Sequence, residues 1–250
     1  MKKYESVISL GYFCSVAIEL EKMGIRNFST PFDWLITDWF GIERAFKTKF
    51  KDFLNYDNLI QDEEFRGHYK DNNYNFCFFH DFSEYKSLDS QICTVREKYD
   101  RRIKRLFEKI TKPTLFIRYI NTEKGTNELD YIKNNYESII NMFRKYNTQN
   151  DLLFIVDEKY KNADIPNLYF VKVENGEKVC RDPIYSNKEL YNFLNSIEIK
   201  NKEENIVRYK EKNKNKEKFL YKLYKKIEKK IKNFILKKYY HNKTYIHNNE

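Results

Sequence analysis

Apolar positions in this chain follow two rhythms, and their alternation outlines the fold. Val7, Ile8 and Leu10 form a short apolar run that breaks at Gly11. Val16, Ala17, Leu20 and Met23 then recur at helical spacing up to Gly24, so Ser6 to Gly24 reads as strand, tight turn and helix. Trp39, Ile42, Ala45, Phe46 and Phe50 mark a second helix behind an Asp38 cap. Residues 52–72 are polar and mixed and are expected to form a connection with short helical pieces. Tyr74 to Phe79 reads as an aromatic-rich strand ending at His80 and Asp81. A long helix is predicted from Asp89 to Ile110, stopped by Pro113, with Ile92, Val95, Tyr99, Leu106 and Ile110 on its apolar face. Thr114 to Ile120 reads as a buried strand, Asn127 and Asp130 open a helix carrying Leu129, Ile132, Ile139, Ile140 and Phe143, and Leu152 to Val156 is another buried strand ending at Asp157. Asn167 to Val173 alternates as a strand, and Ser186-Asn-Lys-Glu189 has the form of a capping box before Leu190, Phe193, Leu194 and Ile197.

Near-continuous apolar strands separated by helices predict an α/β fold, a three-layer sandwich around a mostly parallel sheet. This domain is expected to occupy residues 1–198. Residues 199–250 differ in kind: a tether rich in Lys, Asn and Glu leads to a stripe of Phe219, Leu220, Leu223, Ile227, Ile231, Phe234 and Ile235 surrounded by lysines. That is a basic amphipathic helix, suited either to packing on the body or to an anionic membrane surface.

The charge distribution sharpens the division. The net charge is +10, but residues 200–250 hold 17 Lys and Arg against 6 Asp and Glu, which leaves 30 against 31 for residues 1–199. A neutral body without a recognised motif argues against nucleic acid as a partner. The chain is 41% hydrophobic, with 20 Phe and 21 Tyr, enough for a large core, and the 6 Gly and 4 Pro leave little room for linkers. Cys14, Cys77, Cys93 and Cys180 show neither a CxxC pair nor a disulfide framework, no zinc spacing is present, and neither metal nor cofactor is expected. The short apolar run near the N-terminus is unlike a signal peptide, and no stretch approaches the roughly 20 apolar residues of a membrane span. The expectation is a cytoplasmic protein with reduced thiols, peripheral at the inner membrane face if its tail binds lipid.

Parallel sheets gather ligands beyond the carboxyl ends of their strands. Here that rule collects Gly11 and Cys14, then His80 and Asp81, then Asn121, then Asp157, with Arg118 pointing from a strand. Cys14 at a helix start faces unpaired amides that favour a thiolate nucleophile, although a small packed cysteine has the same surroundings. His80 is the candidate base, His68 a reserve, and Asn121 or Asp157 the candidate orienting group.

The segments Ser9-Leu-Gly-Tyr-Phe-Cys14, Gly24-Ile-Arg26, Ser29-Thr-Pro-Phe-Asp-Trp34, Phe79-His-Asp-Phe82, Tyr99-Asp-Arg-Arg-Ile103 and Leu115-Phe-Ile-Arg118 resemble a bacterial family of unknown function known as putative papain-like cysteine peptidases. The resemblance spans about Ser6 to Asp157. It implies Cys14 as nucleophile and His80 as base, with Arg26, Asp33 and Trp34 shaping a site that Gly11 and Arg118 border. It also implies a papain-like α+β fold as the alternative architecture and, through the company such proteins keep, a link to surface-polysaccharide assembly. A Gly-x-x-Cys turn leaving a first strand is also similar in outline to hydrolases of the Gly-Asp-Ser type. The function expected is cysteine-dependent acyl transfer, by a hydrolase or acyltransferase, with a small-molecule, glycan or acyl-thioester substrate. A cysteine peptidase proper and a non-catalytic sugar- or nucleotide-binding domain are the alternatives.

Overall fold

A computed structural model describes residues 3–122, 127–175 and 177–218. The elements run β1 (Ser6–Ser9), α1 (Ser15–Lys22), β2 (Leu35–Ile36), α2 (Trp39–Thr48), β3 (Leu59–Gln61), β4 (Tyr69–Asp71), β5 (Phe76–Phe78), α3 (Asp89–Lys109), β6 (Thr114–Tyr119), α4 (Asn127–Arg144), β7 (Asp151–Asp157), β8 (Leu168–Val171) and α5 (Lys188–Asn195). Residues 202–218 are helical where a tether was expected. The chain divides into a unit of Met1–Asn205 and one of Ile206–Glu250, and the amphipathic stripe from Phe219 to Ile235 lies outside the described residues.

The fold is α/β. Four strands form a parallel sheet in the order β1-β6-β7-β8, with Ser6 opposite Thr114, Leu115 opposite Asp151 and Phe154 opposite Leu168. Strands β1, β6 and β7 are buried on both faces, while the edge strand β8 is half-buried. One face packs Ile8, Phe116, Phe154 and Val156 against α2, α3 and α4. The other packs Val7, Leu115, Ile117, Leu153 and Ile155 against α1 and α5. Period-2 alternation within uniformly apolar runs thus serves two cores, which is why these strands read as continuous hydrophobic stretches.

Local chemistry fixes the helix starts. Asp38 caps α2 by accepting from the Gly41 amide at 2.6 Å. A side chain at Gly41 would collide with the Tyr74 carbonyl, so the close approach of α2 to the turn before β5 requires glycine there. For α5 the cap is Asn187, accepting from the Leu190 amide at 2.9 Å, whereas Ser186 donates to the Asp182 carbonyl instead. Glu19 in α1 accepts from the amides of Ile184 and Tyr185, both at 2.9 Å, and so anchors the segment before α5.

The second sheet corrects the sequence reading. β2, β5, β4 and β3 form a small antiparallel sheet in that order, with Leu35 opposite Phe78 and Lys70 opposite Cys77. The strand that leads to His80 therefore belongs to this sheet and not to the parallel one, and residues 52–72 contain two strands beside the 3-10 turn at Tyr56–Asn58. These strands are two or three residues long, too short for alternation to announce them. Phe76 and Phe78 turn into the core shared with α2 and α3, while Cys77 faces the other way and stays half-buried.

Candidate functional site

The turn after β1 is set by one glycine. Gly11 has φ +86°, and a Cβ there would lie 2.3 Å from the Thr37 hydroxyl and 3.4 Å from an Arg118 nitrogen. The vacancy of that side chain lets β2 close over the turn: Thr37 donates its hydroxyl to the Leu10 carbonyl at 2.9 Å and its amide to the Tyr12 carbonyl at 3.0 Å. The chain then enters α1 at Cys14, its N-cap residue. No side chain caps this helix end, so first-turn amides are left to other partners. Ser15, beside the thiol, is buried, and its hydroxyl has no partner among the described residues. Cys14 itself is half-buried, and burial pushes its thiol pKa up against the smaller lowering effect of a backbone hydrogen bond. The sequence argument of a thiolate favoured by the helix start is thus outweighed at rest by desolvation.

Behind the turn, Arg118 is completely buried on β6. Its guanidinium grips Glu128 at 2.8 and 2.7 Å, the Leu10 carbonyl at 3.1 Å, and the Thr37 hydroxyl and carbonyl at 2.8 and 3.0 Å. All five N–H donors are spent within the protein. Glu128 also accepts from the amides of Trp39 and Asn121. Arg118 is therefore a strut joining the ends of β1 and β2 to the start of α4, with no donor left for a ligand.

Arg26, Asp33 and Trp34 form a separate knot. Asp33 is fully buried and accepts from the Thr30 amide at 3.0 Å, the Thr30 hydroxyl at 2.7 Å and Arg26 at 2.6 Å. Arg26 reaches Glu21 at 2.5 Å with its other terminal nitrogen. Burial raises the Asp33 pKa, opposed by the Arg26 charge and the Thr30 hydrogen bonds. Trp34 meets the His80 ring edge-to-face at 6.3 Å, and His80 is otherwise exposed. Its neighbour Asp81 is held by Lys98 and by the Tyr99 hydroxyl. His68, the reserve base, packs against Phe65 and Phe79, and its buried Nδ1 has no partner among the described residues.

These placements bear on the expected cluster. The Cys14 turn is tied to Thr37, just beyond one end of β2, whereas His80 touches Trp34, just before its other end. Three residues of extended chain separate those anchor points by about 10 Å. Among the described residues no hydrogen bond joins Cys14 to His80. Asn121 and Asp157 are also apart. Asn121 lines a cavity of about 430 Å³ where the two sheets meet, together with Tyr12, Thr37, Asp38, Lys70, Cys77 and Glu128. Asp157 lines a more open depression of about 670 Å³ beyond β7 and β8, paired there with Lys159 at 3.2 Å.

The hydrophobic pattern does not announce the cavity at the sheet junction, because the short strands of the antiparallel sheet wall it. One signal for that wall is present: Asp71-Asn-Asn-Tyr-Asn75 is a tight-turn sequence, and Asn75 takes φ +57° within it. Among the described residues, no three His, Cys, Asp or Glu side chains come together as metal ligands, and no helix is long and apolar enough to cross a membrane.

Comparison with known proteins gives two matches. Residues 5–159 match the family described as "Putative papain-like cysteine peptidase (DUF1796)". An uncharacterized protein of Acanthamoeba polyphaga mimivirus is 26% identical over 179 residues, covering 62% of this chain and 79% of the viral protein. No solved structure matches.

Proposed function

The chain belongs to the putative papain-like cysteine peptidase family, which makes it a cysteine-dependent hydrolase at the coarse level, and from that premise we propose that it is an acyl-transfer enzyme with Cys14 as nucleophile. The observation that carries this reading is the position of Cys14 inside the family match, at the carboxyl end of a parallel strand and the uncapped start of α1. Amides at such an end can hold an oxyanion, and a cavity lined by Tyr12, two residues before Cys14, offers room for a substrate.

The raised thiol pKa dictates the order of events. Cys14 meets its substrate protonated, so attack requires a base. In our reading His80 takes the thiol proton as the Cys14 sulfur bonds to the acyl carbon. First-turn amides of α1 receive the negative charge on the carbonyl oxygen. Collapse expels the leaving amine, alkoxide or, from a thioester donor, thiolate, which takes the proton from His80, and leaves a thioester on Cys14. Water then releases the acid, or a hydroxyl or amine acceptor takes the acyl group. This chemistry requires the Trp34–His80 pair, anchored about 10 Å along β2 from the Thr37 anchor of the turn, to be brought to Cys14. Arg26 and Asp33 act as positioning residues for the Trp34 segment.

The acceptor in this proposal is a surface-glycan or related precursor, a choice supported by the polar lining of the junction cavity, where Asp38, Lys70, Asn75 and Asn121 offer hydrogen bonds to hydroxyls. The test is incubation of wild-type protein and Cys14→Ala with a set of acyl thioesters and a defined peptide library, followed by mass spectrometry of the intact protein. A covalent acyl adduct on wild type that is absent from Cys14→Ala supports the reading. Peptide cleavage without thioester consumption would move it to a peptidase proper, and an adduct of equal yield on Cys14→Ala would sink it.

A further inference from the structure

Lys70 is the one charged side chain lining the junction cavity whose charged group makes no hydrogen bond or ion pair among the described residues, while the Asp38 carboxylate, held by neutral donors, keeps its negative charge. Two of its three charged side chains that neighbour Cys77 and Asn121 are already answered: Glu128 by the bidentate Arg118 guanidinium, Asp38 by the Gly41 amide and Asn75. The third, Lys70, is half-buried on β4, lines the cavity, and has no ion pair or hydrogen bond to its ammonium among the described residues. A half-buried ammonium lining a half-open cleft attracts an anion there more strongly than a lysine in open water. The volume, about 430 Å³, lies within the range of small-molecule sites, roughly 300–1,000 Å³. It opens where β1 and β6 end, since Tyr12 and Asn121 both line it, and that is the edge at which parallel sheets bind ligands.

We propose that this cavity binds a monosaccharide-sized, hydroxyl-rich molecule bearing one oxyanion, with the anion on Lys70 and hydroxyls on Asn75 and Asn121. Lysine offers a point charge and not the fork of arginine, so either a phosphate or a carboxylate meets the requirement. The site deepens the acyl-transfer reading by giving its substrate class, but anion binding stands or falls without turnover. Cys77 makes the site measurable. It sits directly opposite Lys70 in the β4–β5 ladder, on the same face, with Cβ atoms of such pairs about 4.5–5.5 Å apart.

The experiment is alkylation of the full chain, resolved by cysteine with mass spectrometry, using exposed Cys93 as internal reference. Glucose 1-phosphate is expected to slow Cys77 alkylation by iodoacetamide severalfold while Cys93 is unaffected, and neutral glucose is expected to do nothing at the same concentration. Replacing glucose 1-phosphate with glucuronate tells phosphate from carboxylate. Lys70→Met should remove the protection and Lys70→Arg should keep it. A readout that needs no variant is the rate of iodoacetate relative to iodoacetamide: it should be severalfold higher at Cys77 than at Cys93 and fall with added salt. Protection of Cys77 by none of the anions, equal protection in a folded Lys70→Met, or the same reagent preference at both cysteines would overturn the proposal. Because no acyl chemistry is read, these outcomes leave the role of Cys14 untouched, and an inert Cys14 leaves them valid.

Discussion

Arg118 and Glu128 face each other in the protein interior with two parallel hydrogen bonds, 2.8 Å from Nε and 2.7 Å from Nη2. Burying an ion pair confers little net stability compared with an apolar pair, but removing one member strands the other. Glu128→Ala should therefore cost about 3–5 kcal/mol in urea denaturation, since it leaves a buried guanidinium facing no carboxylate. It also removes the acceptor for the Trp39 and Asn121 amides, so the start of α2 and the end of β6 should lose amide protection in hydrogen exchange. Denaturation within about 1 kcal/mol of wild type would show that the pair is not needed to hold the two sheets at this junction.

Much of this arrangement is readable from the chain, and what is not has a physical cause. Long apolar periodicities located α3, α4, β6 and β7 because each element buries a face for many residues. The Asp38 cap was legible because its chemistry is local. Arg118 was misleading: an arginine in an apolar strand invites a ligand-binding role, and only the structure reveals that Thr37, Leu10 and Glu128, remote in sequence, absorb all its donors. Lys70 and Cys77 were invisible for a related reason. Their pairing depends on strands of three residues, where register comes from a turn and not from pattern.

Gly11→Ala should destabilise by at least about 1–3 kcal/mol, the usual cost of a non-glycine residue in a sparsely populated backbone region. Contact of the new methyl group with the Thr37 hydroxyl adds to that. Thr37→Ala is itself expected to destabilise, since it takes an acceptor from an Arg118 N–H and a donor from the Leu10 carbonyl. In its background Gly11→Ala should cost less than in wild type but not nothing, because the positive φ remains, and a cost near zero in thermal melts would assign the whole requirement for glycine to the contact.

Glu19 supplies a pH dependence. Burial pushes its pKa up to about 7 even though the Ile184 and Tyr185 amides favour the carboxylate. Between the ordinary glutamate value, about 4.3, and about 7, the folded chain holds a proton that the unfolded chain has released. The contribution of this group to stability is therefore fully present below the lower value and is lost as pH rises through the upper one. Urea midpoints followed from pH 4 upward should show this decline, and Glu19→Gln should remove that component of the slope. A wild-type slope that Glu19→Gln leaves unaltered would contradict the assignment.

The Cys14 thiol should titrate late. Burial raises its pKa, so alkylation by iodoacetamide should show a midpoint above the value of about 8.5 for a free cysteine side chain. The check is a pH profile of the Cys14 modification rate resolved by mass spectrometry. A midpoint below that of a short cysteine peptide would show that the helix start prevails over desolvation, and one below neutral pH that Cys14 rests as a thiolate. In that case His80→Gln should slow acylation less than Cys14→Ala abolishes it.

The strand order has a further consequence for how the protein comes into being. Among the described residues β1 has β6 as its sole ladder partner in the parallel sheet, and the bond from Arg118 to the Leu10 carbonyl spans 108 residues. On a ribosome, the cysteine turn and its near partner Thr37 emerge well before β6 and the first part of α4, which supply the remaining hydrogen bonds that hold the turn. The loop to be closed is long, and its closure has to precede the contacts that repay it. The thiol is thus made before its supports and positioned late: a nascent or truncated chain ending before β6 carries the Gly-x-x-Cys sequence without the complete geometry that gives it chemistry. Reactivity at Cys14 is in this way coupled to completion of the fold.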